Sequence, residues 1–367
     1  MADRVLSQRA LNRATLARQL LLDRADLPVE AAIEQLAGLQ AQHPNSPYIS
    51  LWTRLRNLLR DDLTGLIDDR RVVRATLMRS TLHLVTADDY LHLRPALQPA
   101  LERAYRGFFS EASKRVDFAR LAAAAREYTA ERPHTFPELR QFLSHLEPDE
   151  DPAGLSYAAR ALVPLVQVPP AGHWGSFGSP AYIAAEVWLG RPLVPAEDGL
   201  CRLVMRYLAA WGPATRKDIE AWSGLSRLQA TIDRLAPQLR TYRDEQGHVL
   251  YDLPDAPRPD PEVRAPPRFL PEYDNLILSH ADRTRMLPEQ YPKRVILPPS
   301  RVLATFLVDG SVAGTWRVER SREAATLLIE PLEPLSPAVQ TALTEEGTGL
   351  LQSVADDATH HRVQVAG

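Results

Sequence analysis

Cysteine is nearly absent from this 367-residue chain, with Cys201 alone. An intrachain disulfide is therefore impossible, and a zinc ribbon or finger fails on ligand count. Cys201 is expected to pack in a helix as a small apolar residue. Lysine is almost as scarce: Lys114, Lys217 and Lys293 stand against 40 arginines, a bias that, with 31 prolines, reads as the mark of a GC-rich genome. No apolar run approaches the roughly 18 residues that announce a membrane-spanning helix. The start, Met1-Ala2-Asp3-Arg4, lacks the basic-then-apolar layout of a signal peptide. The expectation is a soluble, cytoplasmic protein with no membrane partner.

What is present suffices for two to four domains, since 45% of the residues are hydrophobic. The net charge of −3 argues at first against a nucleic-acid partner, but it is unevenly spread. Residues 323–367 hold seven acids against Arg362 alone, so the rest of the chain is net basic. The first 110 residues carry 15 Arg against 12 acids. The cluster Arg54, Arg56, Arg60, Arg70, Arg71, Arg74 and Arg79 suits a phosphate backbone. A solvated helix face laced with Asp61, Asp62, Asp68 and Asp69 is the equal alternative.

Residues 200–253 have the most readable local plan. An apolar helix stops at Trp211-Gly212-Pro213, a short helix starts at Thr215, a turn follows at Ser223-Gly224, and a further helix runs to about Leu235 with Ser226 as N-cap. A hairpin closes it, Leu239–Arg243 and His248–Leu253 around Asp244-Glu245-Gln246-Gly247. Three helices and a two-stranded wing make a winged helix-turn-helix. The same plan recurs twice upstream at a spacing of about a hundred residues. After the Pro-rich linker 254–267 the pattern turns to β, with strands expected over 269–279, 294–297, 302–308, 314–318 and 326–329. Asp309-Gly310 signals a hairpin. The expected fold is mainly α with β-hairpin wings (α+β), in three tandem winged units over 1–95, 96–190 and 191–260 and a β-rich region over 261–367. The tips at Gly172, Gly247 and Asp309-Gly310 are the candidate probes of a groove.

The tripeptide Gln40-Ala41-Gln42 closes the first amphipathic stretch, followed by His43-Pro44. On a regular helix two residues two apart lie about 200° apart, so the amides converge only where the helix ends. Pro44 is expected to supply that end, because the residue before a proline is pushed out of the helical region. A polar helix end with solvated glutamines is the ordinary outcome for such a triplet. Two amides aimed at one target is the alternative that context must favour.

Context comes from four segments: Leu39-Gln40-Ala41-Gln42, Leu77-Met78-Arg79-Ser80-Thr81-Leu82-His83-Leu84-Val85, the stretch from Trp211-Gly212-Pro213 to Trp222-Ser223-Gly224, and Phe269-Leu270-Pro271-Glu272-Tyr273-Asp274-Asn275-Leu276-Ile277-Leu278-Ser279-His280 with Asp282-Arg283. Together they resemble the AlkZ/YcaQ family of bacterial DNA glycosylases, built from tandem winged helices, across nearly the whole chain. The resemblance implies that Gln40 and Gln42 are the catalytic pair. The Gln-x-Gln form resembles the AlkZ branch, which unhooks DNA crosslinks and confers resistance to a self-made alkylating natural product; the YcaQ branch has an acid at the second position. DNA contacts are sought at Arg54, Arg56, Arg71, Arg74, Arg79, His83, Arg227, Gln229, Asp274, Asn275, His280, Asp282 and Arg283. His83, alternating with Leu82 and Leu84, equally suits a satisfied strand residue, and Tyr273-Asp274-Asn275 a structural turn.

Amides suffice for one class of substrate. A purine alkylated at N7 is already cationic and departs neutral without an acid. Carbonyls of Gln40 and Gln42 then stabilise the sugar cation and place a water. With so few lysines to form a Schiff base, a monofunctional glycosylase is favoured over a lyase. No cofactor or metal is expected, and the partner is double-stranded DNA with alkylated or crosslinked purines, met by a monomer. Two other readings remain open: a winged-helix transcription regulator reading the major groove from the helix after Ser226, and a protein that sequesters lesions without cutting them.

Overall fold

The computed structural model describes residues 5–110, 116–321 and 323–366. Helices alternate with small sheets, a mixed α+β architecture as expected. The first difference concerns the two upstream units. Their strands, β1 (Leu39–Gln40), β2 (Val72–Thr76), β3 (Leu82–Thr86), β4 (His134–Thr135), β5 (Leu165–Gln167) and β6 (Ala181–Ala184), form one sheet in the order β1-β3-β2-β5-β6-β4. The seam is β2 against β5, with Arg74 opposite Gln167 and Ala75 opposite Val166. Every residue of β2 and β5 is buried, so neither hairpin can stand as a solvated wing, and each covers the other's edge. The tip at Gly172 folds back onto Ile67 and Arg74 within the same body.

The third unit follows its local signals. Helices Ala196–Trp211, Arg216–Ser223 and Gln229–Leu235 precede a hairpin of β7 (Arg240–Arg243) and β8 (Val249–Asp252). Thr215 and Asp218 cap the second helix reciprocally, each side chain accepting the other's backbone N–H. Gly224, at φ 79°, ends that helix. Ser226 does not cap the third helix, which begins at Gln229. Arg227 takes a left-handed φ of 63°, and Glu220 Oε1 accepts the Leu228 N–H at 3.1 Å, so a carboxylate from the preceding helix serves in place of the serine. Cys201 lies half-buried in the first of these helices.

In the C-terminal region β9 (Arg268–Leu270), β12 (Thr305–Val308), β13 (Ser311–Arg320), β14 (Ala324–Pro331) and β15 (His360–Val365) order as β15-β14-β13-β12-β9, with β10 (Ile296–Leu297) and β11 (Arg301–Val302) paired separately. Helix Pro337–Val354, not anticipated from the sequence, buries Leu343, Leu350 and Leu351 in the core holding Phe306, Leu327 and Ile329. The strand expected over 269–279 stops at Leu270. Pro271 has no N–H for a ladder, Tyr273 turns to φ 61°, and Asp274 caps a 3₁₀ turn over Asn275–Ile277. The Asp309-Gly310 hairpin forms between β12 and β13, yet it probes no external groove. Asp309 pairs with Arg9 and Arg13 of the buried helix Gln8–Arg18, and Asn12 Nδ2 donates to Gly310 O at 2.8 Å. Of the three expected probes, only the tip at Gly247 is open.

Candidate active site

Helix Val29–Gln35 ends well before the glutamines. Ala37 and Gly38, at φ 56° and 85°, reverse the chain. Only glycine fits the second position, where a Cβ would sit 2.5 Å from Val85 Cγ1. The chain then runs extended along β3, with Leu39 opposite Leu84, Gln40 opposite His83, and the Ala41 N–H donating to Leu82 O at 2.7 Å. This corrects the expected frayed helix. Gln40 ends the strand and Gln42 sits in the bend that follows, so the two amides come to one cleft without the unwinding of a helix. Pro44 lies in the turn that leads into helix Ser46–Trp52.

Arg74 holds this strand in place. Its Nε and Nη2 donate to Ala41 O at 2.9 and 2.7 Å, and its Nη1 to Gln167, whose amide in turn donates to Tyr182 Oη at 2.6 Å. Arg54 is equally internal: 1% exposed, it forms a two-pronged pair with Asp274 at 2.9 and 3.0 Å. Asp274 also accepts the Leu276 N–H, fixing the turn that carries Asn275. Arg54, Arg74 and Asp274 therefore build the site from behind, and the buried positions expected to meet phosphates have no side-chain surface to offer them.

Arg79 and Ser80, both at positive φ, project from the β2–β3 connection. Arg79 Nη2 donates to Gln40 Oε1 at 3.0 Å and to Asn275 Oδ1 at 2.9 Å, while Nη1 donates to Trp222 O at 2.7 Å. Burial, then the charge of Arg283, pulls its pKa down to about 10, which leaves it a cation at neutral pH. His83 is fully buried and its Nδ1 lies 3.1 Å from Thr81 O. Burial and the charge of Arg79 push it down to about 3, so the ring is neutral, with Nδ1–H the donor. His43, beside Gln42, is lowered by burial and packs edge-on against the exposed Phe177.

Gln40 and Gln42 open into a cleft of about 520 Å³ shared with Arg79, Ser80, Arg160, Tyr273, Arg283 and Arg301, with Leu278, Ile296 and Val302 as apolar wall. No carboxylate lines it among the described residues; Glu272 stands behind Arg301, bonded to it at 2.7 Å. Arg160 stacks on Tyr157, whose hydroxyl meets Ser80 Oγ at 3.1 Å. Arg160 and Arg301 had no local signal: one is a helix residue between aromatics, the other follows a Pro-Pro-Ser loop.

The remaining expected residues scatter. Asp282 caps the turn Arg283–Arg285, placing Arg283 at the cleft. His280 is buried between Trp211 O, Ser279 and Arg285, held near 3 by burial, and lies in the wall of a different cleft beside Asp218. Arg56 and Arg71 are exposed at a separate cleft with Glu30, and Arg227 and Gln229 sit on the third unit. Neither Lys217 nor Lys293 lines the glutamine cleft; Lys114 lies outside the described residues.

A family model described as DNA glycosylase AlkZ-like matches residues 33–353, a span that contains every residue lining this cleft. The chain belongs to the AlkZ-like DNA glycosylase family. Among curated proteins none matches. The solved structure of Streptomyces sahachiroi DNA glycosylase AlkZ is similar with a TM-score of 0.82 at 16% identity, over 99% of this chain and 100% of that one, a likeness of fold. Membership makes this AlkZ-like chain a DNA glycosylase with DNA as its partner. Among the described residues no helix is long and apolar enough to cross a membrane.

Proposed function

We propose that this AlkZ-like glycosylase is monofunctional, excises purines alkylated at N7 and unhooks interstrand crosslinks between such bases, with Gln40 and Gln42 meeting the lesion nucleotide. The observation that carries the reading is two amides, one at the end of an edge strand and one in the bend after it, opening into one cleft lined by cations and, among the described residues, by no carboxylate. A normal purine departs as an anion and needs protonation. An N7-alkylated purine does not, and only the second kind suits a site without an acid.

In the reaction the C1′–N9 bond breaks and its electron pair moves to the purine, which loses its positive charge and leaves neutral. Water bonds to C1′, and its proton passes to solvent. Gln42 is exposed, and its Oε1 is held only by the Leu82 N–H at 3.4 Å. That carbonyl can turn to orient the water and face the sugar cation, where a fixed dipole lowers the barrier. Arg160, Arg283 and Arg301 at the cleft suit the flanking phosphates. Lysine is missing from the lining, which supports hydrolysis over lyase chemistry. A crosslinked base is tethered to the opposite strand and cannot swing freely into a closed pocket; a cleft with Gln42 at the surface suits it. The amide at position 42 supports the AlkZ-branch role, cytoplasmic self-resistance to a DNA-alkylating natural product, exercised by a monomer.

The test is duplex DNA carrying N7-methylguanine, with released base and abasic sites measured for wild type, Gln40→Ala and Gln42→Ala. Wild type releases the base, and each alanine variant slows release by a factor on the order of 10². Failure of the wild type to release any base overturns the function, whereas full activity in both variants overturns the site.

A further inference from the structure

The two glutamines do not occupy equivalent settings. Gln42 is exposed and loosely held, whereas Gln40 is 6% exposed and its Oε1 accepts from Arg79 Nη2 at 3.0 Å. A guanidinium has donors only, so the amide can meet it in one orientation: oxygen toward Arg79, Nε2 away.

The neighbours hold Arg79 in place. Arg79 Nη2 also takes Asn275 Oδ1 at 2.9 Å, which turns Asn275 Nδ2 away from the guanidinium. His83 is neutral with its Nδ1 proton on Thr81 O, so its Nε2 carries a lone pair. Asn275 Nδ2 and His83 Nε2 are both buried and have no hydrogen-bond partner among the described residues, so they set no orientation of their own. Arg79 is thus held by Asn275 Oδ1 on one side and by Trp222 O at 2.7 Å on the other, and from that fixed place it sets the orientation of Gln40. Gln40 lines the cleft with its oxygen committed to Arg79, which leaves Nε2, not one of the buried atoms without a partner, as the part of the amide free to meet a ligand there.

We infer that Gln40 acts as a hydrogen-bond donor to an acceptor atom of the departing purine, that Arg79 is the positioning residue locking it in this orientation, and that the carbonyl facing sugar and water belongs to Gln42 alone. The inference rests on the proposed excision of cationic purines and divides the work of the pair. As the C1′–N9 bond breaks, electron density accumulates on the purine, and a donor aimed at a ring nitrogen or carbonyl of the base binds more strongly in the transition state than in the ground state. The Arg79 charge polarises the Gln40 amide and makes its N–H a better donor, while drawing density from the carbonyl that would otherwise face the sugar cation.

Gln40→Glu decides the matter. A glutamate has the same length and continues to accept from Arg79, so its position is retained, but its cleft-facing atom becomes an acceptor. On N7-methylguanine DNA the variant is expected to lose about as much kcat as Gln40→Ala, on the order of 100-fold, with an unchanged melting temperature. A Gln40→Glu enzyme as fast as wild type, or faster, overturns the proposal, because a carboxylate is the better partner for a sugar cation. Arg79→Met is expected to lower kcat on the order of tenfold while leaving Kd for undamaged duplex unchanged; a rise in Kd with unchanged kcat makes Arg79 a backbone contact and overturns its positioning role. If that variant does not fold, Gln40→Glu stands alone. A readout independent of turnover uses duplex containing 2′-fluorinated N7-methylguanosine, whose glycosidic bond resists cleavage. The Gln40 Nε2–H resonances are expected to move downfield on binding, and unmoved resonances overturn the donor role even where wild type proves to release base.

Discussion

The third unit and the first region are built by opposite means. Residues 196–252 announce themselves locally: Thr215 caps with Asp218, Gly224 stops a helix, and a polar tip joins two strands in register. The Gln40 region is assembled from afar. Its strand leans on β3, its backbone is held by Arg74, its amide by Arg79, and Arg79 by Asn275 and Trp222 from distant parts of the chain. The region with strong local signals keeps its exposed Arg227 and Gln229 out of the glutamine cleft. The region with weak local signals holds the glutamine cleft. Strained or left-handed backbone marks it, at Ala37, Arg79, Ser80 and Tyr273.

The largest test of this contrast is pH. Each half contains a buried neutral histidine, His83 under the site and His280 beside the third unit, both lowered from 6.5 to about 3, first by burial. Between those values the unfolded chain binds protons that the folded chain refuses. Stability is thus complete above about pH 6.5 and falls as the pH drops toward 3, and since one unit of displacement corresponds to about 1.4 kcal/mol, the loss reaches several kcal/mol. Melting temperatures from pH 7 to 4 should fall steeply, and His83→Gln should flatten the slope. An identical slope in that variant would show that His83 charges freely in the fold.

Next in size is Arg54→Ala. It strands the Asp274 carboxylate, 5% exposed, without its partner, at a cost of about 3–5 kcal/mol. Denaturant unfolding should show that loss, while the salt dependence of duplex binding keeps its slope. Retained stability with a slope shallower by about 0.9, the value of one lost phosphate contact, would return Arg54 to the DNA surface.

The limits of sequence reading follow from the same contrast. The resemblance pointed to Gln40 and Gln42, which line one cleft, and the third unit was legible from its turns and hairpin, though its expected cap at Ser226 failed. What failed was geometry made by pairing. The periodicity of residues 28–42 reads as helix because Gly38 gives no warning that Val85 waits 2.5 Å from its missing Cβ. The arginine cluster reads as a phosphate track because sequence cannot show that Asp274, some 220 residues on, neutralises Arg54. Helix Pro337–Val354 hid behind a stretch rich in Thr and Gly, weak helix formers whose role is set by packing.

Gly38→Ala tests whether the strand, rather than any helix end, presents the glutamines. The substitution places a Cβ against Val85 at φ 85°, costing about 2 kcal/mol or more from the left-handed backbone and the overlap together. Because Gln40 follows two residues later, excision should fall further than stability explains, since a misplacement near 1 Å is worth about 10²-fold. An alanine variant with full activity and stability would mean that the Ala37-Gly38 reversal does not set the site.

The smallest effect is expected where a reader of the sequence would look first for DNA recognition. Arg227 and Gln229 flank the start of the short helix Gln229–Leu235, which is seven residues long, and Gln229 spends its amide on Asp233 at 2.8 Å. Arg227 lines a separate cleft with Arg94, Arg103 and Leu228. A helix reading the major groove would need both side chains free and aimed at base edges, where each bidentate contact is worth about 1–3 kcal/mol. The double variant Arg227→Ala, Gln229→Ala should therefore change duplex affinity by no more than about 0.5 kcal/mol, the usual range for surface substitutions, and leave excision of N7-methylguanine within twofold. A sequence-selective footprint on undamaged DNA that disappears in this double variant would revive the regulator reading and move the functional surface from the glutamine cleft to the third unit.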